Sequence, residues 1–411
     1  MKKRAGAGIG LALALLCGPA NGAGISDDVI RIGFITDMSG VYADGDGPGG
    51  AEAIRMAIAD LGGSIQGKPI ELLVADSRNK ADVSSALARD WFDNQQLDLL
   101  IGGTNSAASL AMSAVAAEKK KPFITSGAGA SAFTNAQCNP YTIQYTYSTS
   151  GLARGTGAAV VGQGGKSWYF LTTDYTFGHE LERDTAAVVT QSGGTVLGAV
   201  RTPLGVADFS SFILQAQSSG AGVLALANAG ADLVNSLKTA VEFGLTKTMT
   251  PVGLTATLLD IHALGLEVTQ GMYFTVPWFW NINPAAEAWS RRYLEKIGRM
   301  PTYGQAGDYS AATAYLGAVR DTGTDDADTI MQWLKSHPVN DFFVRNGVIR
   351  ADGRMMNDLT LLQVKTPAES TGPWDLHKVV ATIPAATAYG PLDASACPYV
   401  RARLAGAPGR G

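Results

Sequence analysis

The sequence VIRIGFIT at residues 29–36 is a run of β-branched and apolar residues that ends in a loop rich in glycine, aspartate and serine. Residues 50–61 follow it, with apolar side chains spaced for one face of a helix. A second strand at 69–76 and a second helix at 82–91 repeat the unit. Alternation of this kind predicts a parallel sheet covered by helices.

The same alternation returns in a second block, between residues 167 and 276. We therefore predict an α/β fold with two doubly wound parallel sheets, whose strand ends face each other across one cleft. A third block carries helical patterns at 285–297, 308–319 and 326–336. Strands at 347–350 and 359–364 are then expected to pair around a turn at 351–353.

The first 23 residues have the pattern of a cleaved secretory signal. A basic start at residues 1–4 precedes a short apolar run, and small residues occupy positions 20–24. A membrane anchor is the alternative, but the run is shorter than the ~20 residues that a span needs. We expect a periplasmic protein.

Composition and motif content argue against several classes of protein. The net charge of −4, without a stripe of lysine and arginine, argues against nucleic acid as a partner. The four histidines are dispersed, so we predict no metal site. No G-x-G-x-x-G follows the first strand and no G-x-S-x-G occurs, so we predict neither a cofactor nor an enzyme.

Cys138 and Cys397 are the two cysteines that remain once the signal is removed. An even pair in an oxidising compartment predicts a disulfide, with two buried free thiols as the alternative. The disulfide would tether a C-terminal tail, residues 386–411, to the first lobe.

Short motifs in a set order carry a resemblance to a known family. They are residues 32–40 (IGFITDMSG), 67–71 (GKPIE), 208–211 (DFSS) and 352–354 (DGR). In order and spacing the chain resembles the type I periplasmic solute-binding proteins of branched-chain amino acid ABC importers. Residues 174–178, 226–230 and 397–398 look closest to a branch that binds aromatic or other non-amino-acid ligands.

The resemblance implies two lobes that close on a small molecule around a three-segment hinge. The implied lobes are residues 24–145 with 279–340, and 146–278 with 341–385. The implied crossings lie near 144–149, 276–281 and 338–343. It also implies a monomer that delivers its ligand to an ABC permease, and a sensor for a membrane signalling partner is the alternative.

Candidate ligand-binding residues lie in loops that follow the predicted strands. Backbone N–H groups and hydroxyls at 103–107 and 126–129 suit a carboxylate, although helix capping needs the same residue types. Aromatic residues suit stacking, although Trp278 has the alternative of packing the core. The candidates are Tyr42, Asn105, Ser106, Ala107, Ser126, Gly127, Ala128, Tyr147, Asp174, Tyr175, Asn228, Ala229, Thr255 and Trp278.

The ligand class follows from a departure from the family pattern. Amino-acid-binding members have an acid for the ligand ammonium near residues 254–257, and this chain has none there. A buried ammonium without a counter-charge is costly. We therefore expect an aromatic or hydrophobic carboxylate, unless Asp174 or Asp37 replaces the missing acid and an amino acid binds.

Overall fold

The computed structural model describes residues 24–406, apart from the side chain of Leu404. The signal predicted at 1–23 lies outside the described residues. Within 24–406 no helix combines the length and the hydropathy that crossing a membrane would require.

The first sheet has six strands and carries the predicted opening motif in its centre. Its strands are β1 (Ile30–Thr36), β2 (Ser64–Ile65), β3 (Lys68–Asp76), β4 (Leu99–Gly102), β5 (Phe123–Thr125) and β6 (Thr142–Gln144). Its first helices are α1 (Gly47–Asp60), α2 (Ala81–Asn94) and α3 (Ser106–Lys119). The strand order is β2-β3-β1-β4-β5-β6, and only the β2–β3 pair is antiparallel. Helices cover both faces, so β1 is almost entirely buried.

The second sheet is fully parallel and has the order β10-β9-β7-β8. Its strands are β7 (Ser167–Thr173), β8 (Thr195–Thr202), β9 (Val223–Ala227) and β10 (Thr250–Gly253). The helices around it are α4 (Thr149–Leu152), α5 (Ala158–Gly162), α6 (Thr176–Gln191), α7 (Ser210–Ser218), α8 (Ala231–Glu242), α9 (Leu258–Leu264) and α10 (Leu266–Thr269). The predicted α/β fold with two parallel sheets is therefore confirmed.

A third helical block consists of α11 (Pro284–Ile297), α12 (Tyr303–Thr322) and α13 (Ala327–Ser336). It returns to the first sheet, where α12 packs along α1. The α11 sequence encodes its own boundaries. The Asn283 side chain accepts a hydrogen bond from the Ala286 N–H at its start, Pro284 occupies the first turn, and Gly298 ends it at φ 80°.

The predicted pairing of the late strands is wrong. The strands are β11 (Tyr273–Val276), β12 (Val348–Ile349), β13 (Met355–Met356), β14 (Leu359–Val364) and β15 (His377–Ile383). The turn closes early, because the Arg350 N–H donates to the Arg354 carbonyl, so β12 pairs with β13. The β14 strand instead pairs with β11 and β15 in a separate antiparallel sheet.

The β12–β13 hairpin is bonded to the first sheet. Gln144 of β6 bridges to Arg354, and its N–H donates to the Gly353 carbonyl at 2.9 Å. The lobe boundaries implied by the sequence place both strands of this hairpin in the second lobe. The bonds to β6 put the hairpin beside the first sheet, and after β11 the chain returns to the antiparallel sheet only at β14.

The predicted disulfide between Cys138 and Cys397 is present, with the two Cα atoms 5.4 Å apart. Hydrogen bonds beside it fasten the tail to the first lobe: Ser395 Oγ donates to the Thr134 carbonyl, and the Ala396 N–H donates to Asn135 Oδ1. The last elements are α14 (Ala385–Tyr389) and α15 (Pro398–Gly406).

Candidate functional site

A cleft of about 200 Å³ lies where the carboxyl ends of the two parallel sheets meet. Loops that follow β1, β4, β5 and β6 form one wall, and loops that follow β7, β9 and β10 form the other. Six of the predicted residues line the cleft: Tyr42, Gly127, Tyr147, Tyr175, Ala229 and Thr255.

The loop after β1 reaches across to the opposite lobe. The Asp37 carboxylate fixes its shape by accepting hydrogen bonds from the Gly40 and Tyr42 N–H groups at 2.7 and 2.9 Å. The Tyr42 hydroxyl lies 2.9 Å from the Tyr175 hydroxyl. The Val41 carbonyl accepts a hydrogen bond from the Ala231 N–H at 3.0 Å. The two lobes are therefore closed on each other at this edge of the cleft.

Aromatic side chains make up much of the lining, namely Tyr42, Tyr147, Tyr175, Phe177 and Tyr303. The rings of Tyr147 and Tyr303 meet edge to face with centroids 5.3 Å apart. Burial raises the pKa of Tyr42, Tyr147, Tyr175 and Tyr303. Their hydroxyls therefore stay protonated near neutral pH as hydrogen-bond donors, and that of Tyr147 donates to the Gly127 carbonyl at 2.8 Å.

Two threonine hydroxyls in the cleft have no hydrogen-bond partner among the described residues. Thr104 follows β4 in the first lobe, and Thr255 follows β10 in the second. A buried hydroxyl without a partner costs about 1–3 kcal/mol. One such group from each lobe suits a ligand whose polar atoms touch both walls. Gly127 lies beside Thr104, and a Cβ there would be 2.9 Å from the Thr104 methyl carbon.

The charged groups in the lining are both acids. Asp44 pairs with Arg299 at 2.6 Å. Asp260 accepts hydrogen bonds from the N–H and hydroxyl of Thr257, each at 2.8 Å, and so caps α9. Burial raises the pKa of Asp260 to about 6. No lysine, arginine or histidine is among the described residues that line the cleft.

Neither alternative acid proposed from the sequence lines the cleft. Asp174 is exposed and bonds to His179 Nε2 at 2.8 Å, while Asp37 is engaged by its own loop. Of the two acids that do line it, Asp44 and Asp260, the second lies three residues beyond the segment 254–257. The Thr-x-x-Asp capping box at 257–260 was its signal in the sequence.

Several predicted ligand residues contact the protein rather than line the cleft. Asn105 caps α3 by accepting from the Ala108 N–H at 3.0 Å. The Ser106 hydroxyl accepts from the Ala130 N–H at 3.2 Å. Asn228 donates to Ser236 Oγ at 3.1 Å. The helix-capping alternative therefore describes Asn105, while Ser106 and Asn228 bond to other groups of the protein.

The remaining candidates are also outside the lining. Trp278 is buried in the hinge, where it stacks on Phe343 with centroids 6.3 Å apart. Ala107 lies in α3 and Ala128 is buried behind the cleft. Ser126 donates a hydrogen bond to Asp308.

Thr104, Phe177, Asp260 and Tyr303 line the cleft but were not among the predicted residues. Tyr303 is the first residue of α12, whose start was predicted five residues too late. The capping box formed by Thr302 and Gln305 marks the true start.

Behind the cleft, Asp46 and Asp308 form a buried pair of carboxyl groups. Thr36 donates to Asp46 at 2.7 Å, and Ser126 donates to Asp308. Burial, followed by the charge of Asp46, raises the pKa of Asp308 well above its usual range. The pair therefore holds one proton at neutral pH, because two adjacent buried carboxylates repel each other.

Replacement of Asp308 with asparagine should change how stability depends on pH. An acid whose pKa is higher in the folded state than in the unfolded state binds more protons when the protein is folded. Its contribution to the free energy of unfolding is therefore present at low pH and is lost as pH rises toward the folded-state pKa. From about pH 4 to about pH 8, we expect the free energy of unfolding of Asp308→Asn to rise relative to wild type by at least about 1.4 kcal/mol. Urea unfolding at both pH values measures this. Parallel pH profiles would contradict it, and Asp44→Asn, at an exposed position, is the control.

Within residues 24–406, no group of three or more His, Cys, Asp or Glu side chains is arranged to hold a metal ion.

Comparison with known proteins adds the family context. The periplasmic binding protein family matches residues 29–372. A crystal structure of a periplasmic binding protein from Burkholderia mallei has 55% sequence identity and a TM-score of 0.89, over 90% of this chain and 99% of that one. A branched chain amino acid ABC transporter periplasmic ligand-binding protein from Burkholderia xenovorans LB400 has 36% identity and a TM-score of 0.79, over 90% of this chain and 100% of that one.

A curated relative matches a shorter part. The Leu/Ile/Val-binding protein homolog 6 of Brucella melitensis is 25% identical over 220 residues, which is 53% of this chain and 56% of the relative. The chain therefore spans about half the length of the curated relatives that it matches.

Proposed function

The chain belongs to the periplasmic binding protein family, in its type I branch, and from this we propose that it is the periplasmic substrate-binding component of an ABC importer. In this proposal it captures a small aromatic or hydrophobic carboxylate by lobe closure. It performs no reaction on the ligand and delivers it, as a monomer, to a permease in the inner membrane.

The observation that carries the proposal is the closed cleft with an aromatic lining. Tyr42 and Tyr175 come from opposite lobes and share a hydrogen bond, while Tyr147 and Tyr303 present ring faces and edges nearby. Aromatic side chains bury large areas and prefer to pack against other rings. A planar ring of a ligand fits such walls better than a branched aliphatic chain does.

Neutral donors support the carboxylate part of the proposal. The hydroxyls of Thr104 and Thr255 lack partners among the described residues, and the tyrosine hydroxyls stay protonated. Hydrogen bonds from neutral donors to a charged acceptor contribute about 1.5–3 kcal/mol each. A carboxylate can accept from both walls and so favours the closed arrangement.

Asp260 supports a second candidate, an amino acid ligand. Its carboxylate lines the cleft and could pair with the ammonium of such a ligand. The two candidate ligands favour different protonation states of Asp260. An ammonium group pairs with the ionised carboxylate, whereas a ligand carboxylate is repelled by it.

A thermal-shift screen of the mature protein separates the candidates. Bound ligand stabilises the folded state by about 2.7 kcal/mol at a concentration 100-fold above Kd. We expect benzoate-type acids to raise Tm more than leucine, valine or short aliphatic acids do. A larger shift with leucine would replace the aromatic proposal with the amino acid one.

The pH dependence of affinity gives a sharper test. Burial raises the pKa of Asp260 to about 6. Protonation removes its repulsion of an anionic ligand, so affinity for an aromatic carboxylate should fall as pH rises from about 5 to about 8. The affinity should change about tenfold for each unit by which the bound carboxylate raises the pKa of Asp260. Calorimetric titration at the two pH values measures it.

Asp260→Asn is the matched control, since its amide oxygen can still accept the Thr257 hydrogen bonds. We expect its affinity to be independent of pH over the same range. An affinity of the wild type that rises with pH would support the amino acid candidate, and a flat wild-type profile would remove Asp260 from the ligand site.

A further inference from the structure

A second cavity, of about 290 Å³, lies at the hinge and shares no lining residue with the cleft. Five separate segments of the chain form its walls. They are the 131–135 segment of the first lobe, residues 148–154 around α4, the middle of α6, the β12–β13 hairpin, and tail residues 389–395. We call it the hinge cavity.

Positive charge exceeds negative charge in the hinge cavity. The charged residues that line it are Arg154, Arg183, Arg350, Arg354, Asp184 and Asp352. Two of these arginines have carboxylate partners. Arg350 donates to both oxygens of Asp352 at 3.0 and 2.7 Å, and Arg183 donates to Asp184 at 3.0 and 2.8 Å.

Arg154 and Arg354 have no salt-bridge partner among residues 24–406. Arg154 is exposed and donates to the Ala388 carbonyl at 2.7 Å. Arg354 is 1% exposed and donates to the carbonyls of Met355 and Tyr147, each at 2.8 Å. Both therefore bond only to backbone oxygens, which carry partial charge and cannot neutralise a guanidinium.

The charge of Arg354 is less well compensated than that of Arg154, because Arg354 is buried and Arg154 is exposed. Its guanidinium carbon lies 4.4 Å from the centre of the Tyr389 ring, and its Nη2 has no acceptor among the described residues. Burial lowers the pKa of Arg354. A buried charge is costly unless a counter-charge or hydrogen bonds compensate it. The cavity beside it has room for such a counter-charge.

We propose that the hinge cavity is a second binding site, for a small tetrahedral dianion such as inorganic phosphate or sulfate. Two unmatched guanidinium groups balance the two charges of such an ion, and arginine donors fit oxyanion geometry. The hydroxyls of Ser131, Ser148 and Ser150 line the same cavity and supply further polar contacts.

The position of the site predicts its effect. The cavity walls include both lobes, the hairpin and the tail, so a bound ion would link segments that are far apart in sequence. The ion would stabilise the arrangement in which Arg154 and Arg354 line one cavity. Binding should therefore raise Tm by mass action, independently of any ligand in the cleft.

The test is a titration of the mature protein with sulfate and with phosphate at constant ionic strength, balanced with sodium chloride. Calorimetry should give one saturable site, and Tm should rise with the same concentration dependence. Arg154→Gln is the variant of choice because the residue is exposed, whereas Arg354 holds the hinge backbone. We expect Arg154→Gln to bind the anion at least tenfold more weakly.

Arg345→Gln, at an exposed arginine outside the hinge cavity, is the matched control and should bind like wild type. A response equal to that of chloride alone would overturn the proposal. Unchanged binding in Arg154→Gln would also overturn it, since the ion would then lie elsewhere, the cleft included. Acetate that binds as tightly as sulfate would overturn the preference for a dianion.

Discussion

Gly230→Ala is expected to lower the affinity for the ligand by about 100-fold, or about 2.8 kcal/mol. Gly230 precedes α8 in the second lobe and contacts the loop after β1 of the first lobe. A Cβ at this position would lie 2.3 Å from the Val41 carbonyl oxygen and 3.2 Å from Tyr42 Cδ1. The first contact involves backbone, so the lobes must separate to relieve it. The Tyr42–Tyr175 hydrogen bond would then be lost.

The Gly230→Ala variant also needs a control for backbone strain. The φ of +59° at this position disfavours alanine whether or not the lobes are closed. Gly265→Ala supplies it. Gly265 also lies in the second lobe, with φ +80°, and a Cβ there meets no atom within 4 Å. Both variants should lose stability, but only Gly230→Ala should lose affinity in calorimetric titration. Equal affinities for the two variants would contradict the closure mechanism.

Removal of the disulfide should have the largest effect on stability. In the Cys138→Ser/Cys397→Ser double variant, we expect the free energy of unfolding to fall by about 4–5 kcal/mol. The cross-link joins residues 259 positions apart, so it restricts a large loop of the unfolded chain. It also holds the tail, whose remaining contacts with the first lobe include two hydrogen bonds.

Urea unfolding with and without reductant measures the effect of the disulfide. Reduced wild type should match the double variant, which separates loss of the cross-link from the change of side chain. An unchanged unfolding midpoint in the double variant would show that the cross-link adds nothing to the stability of the first lobe.

The architecture could be predicted from the sequence because the central strands of its two parallel sheets are largely buried. Strand β9 is a continuous apolar run, β1 and β7 are largely apolar, and the helices between them carry one apolar face. The disulfide was predicted because two cysteines remain beyond the predicted signal, in a chain expected to be exported. The partner of β12 could not be predicted, because the choice depends on which residue closes the turn after Gly353.

The lining of the cleft was harder to predict, for two physical reasons. First, residue types that bind ligands also cap helices, and Asn105 and Ser106 are engaged by backbone N–H groups of the protein. Second, Tyr303 and Asp260 reach the cleft only through the packing of α12 and α9. No local pattern relates them to Tyr42, more than 200 positions earlier in the sequence.

The tyrosines were the most informative residues in the sequence. Tyr42 and Tyr175 lie in loops that follow the first strand of each sheet-forming block, and the structure brings their hydroxyls within 2.9 Å. The rule that crevices form at the carboxyl ends of parallel strands accounts for this result. No side chain of α3 lines the cleft.

The central claim is that the two lobes hold a small aromatic carboxylate, chemically unchanged, between the loop of Tyr42 and the loops of Tyr175 and Thr255. A crystal structure of the protein with the acid that gives the largest thermal shift tests this claim most directly. We predict an intact ligand with its ring among Tyr42, Tyr147, Tyr175 and Tyr303, and its carboxylate within hydrogen-bond distance of Thr104 or Thr255. A ligand bound outside the cleft, or found there as a reaction product, would contradict it.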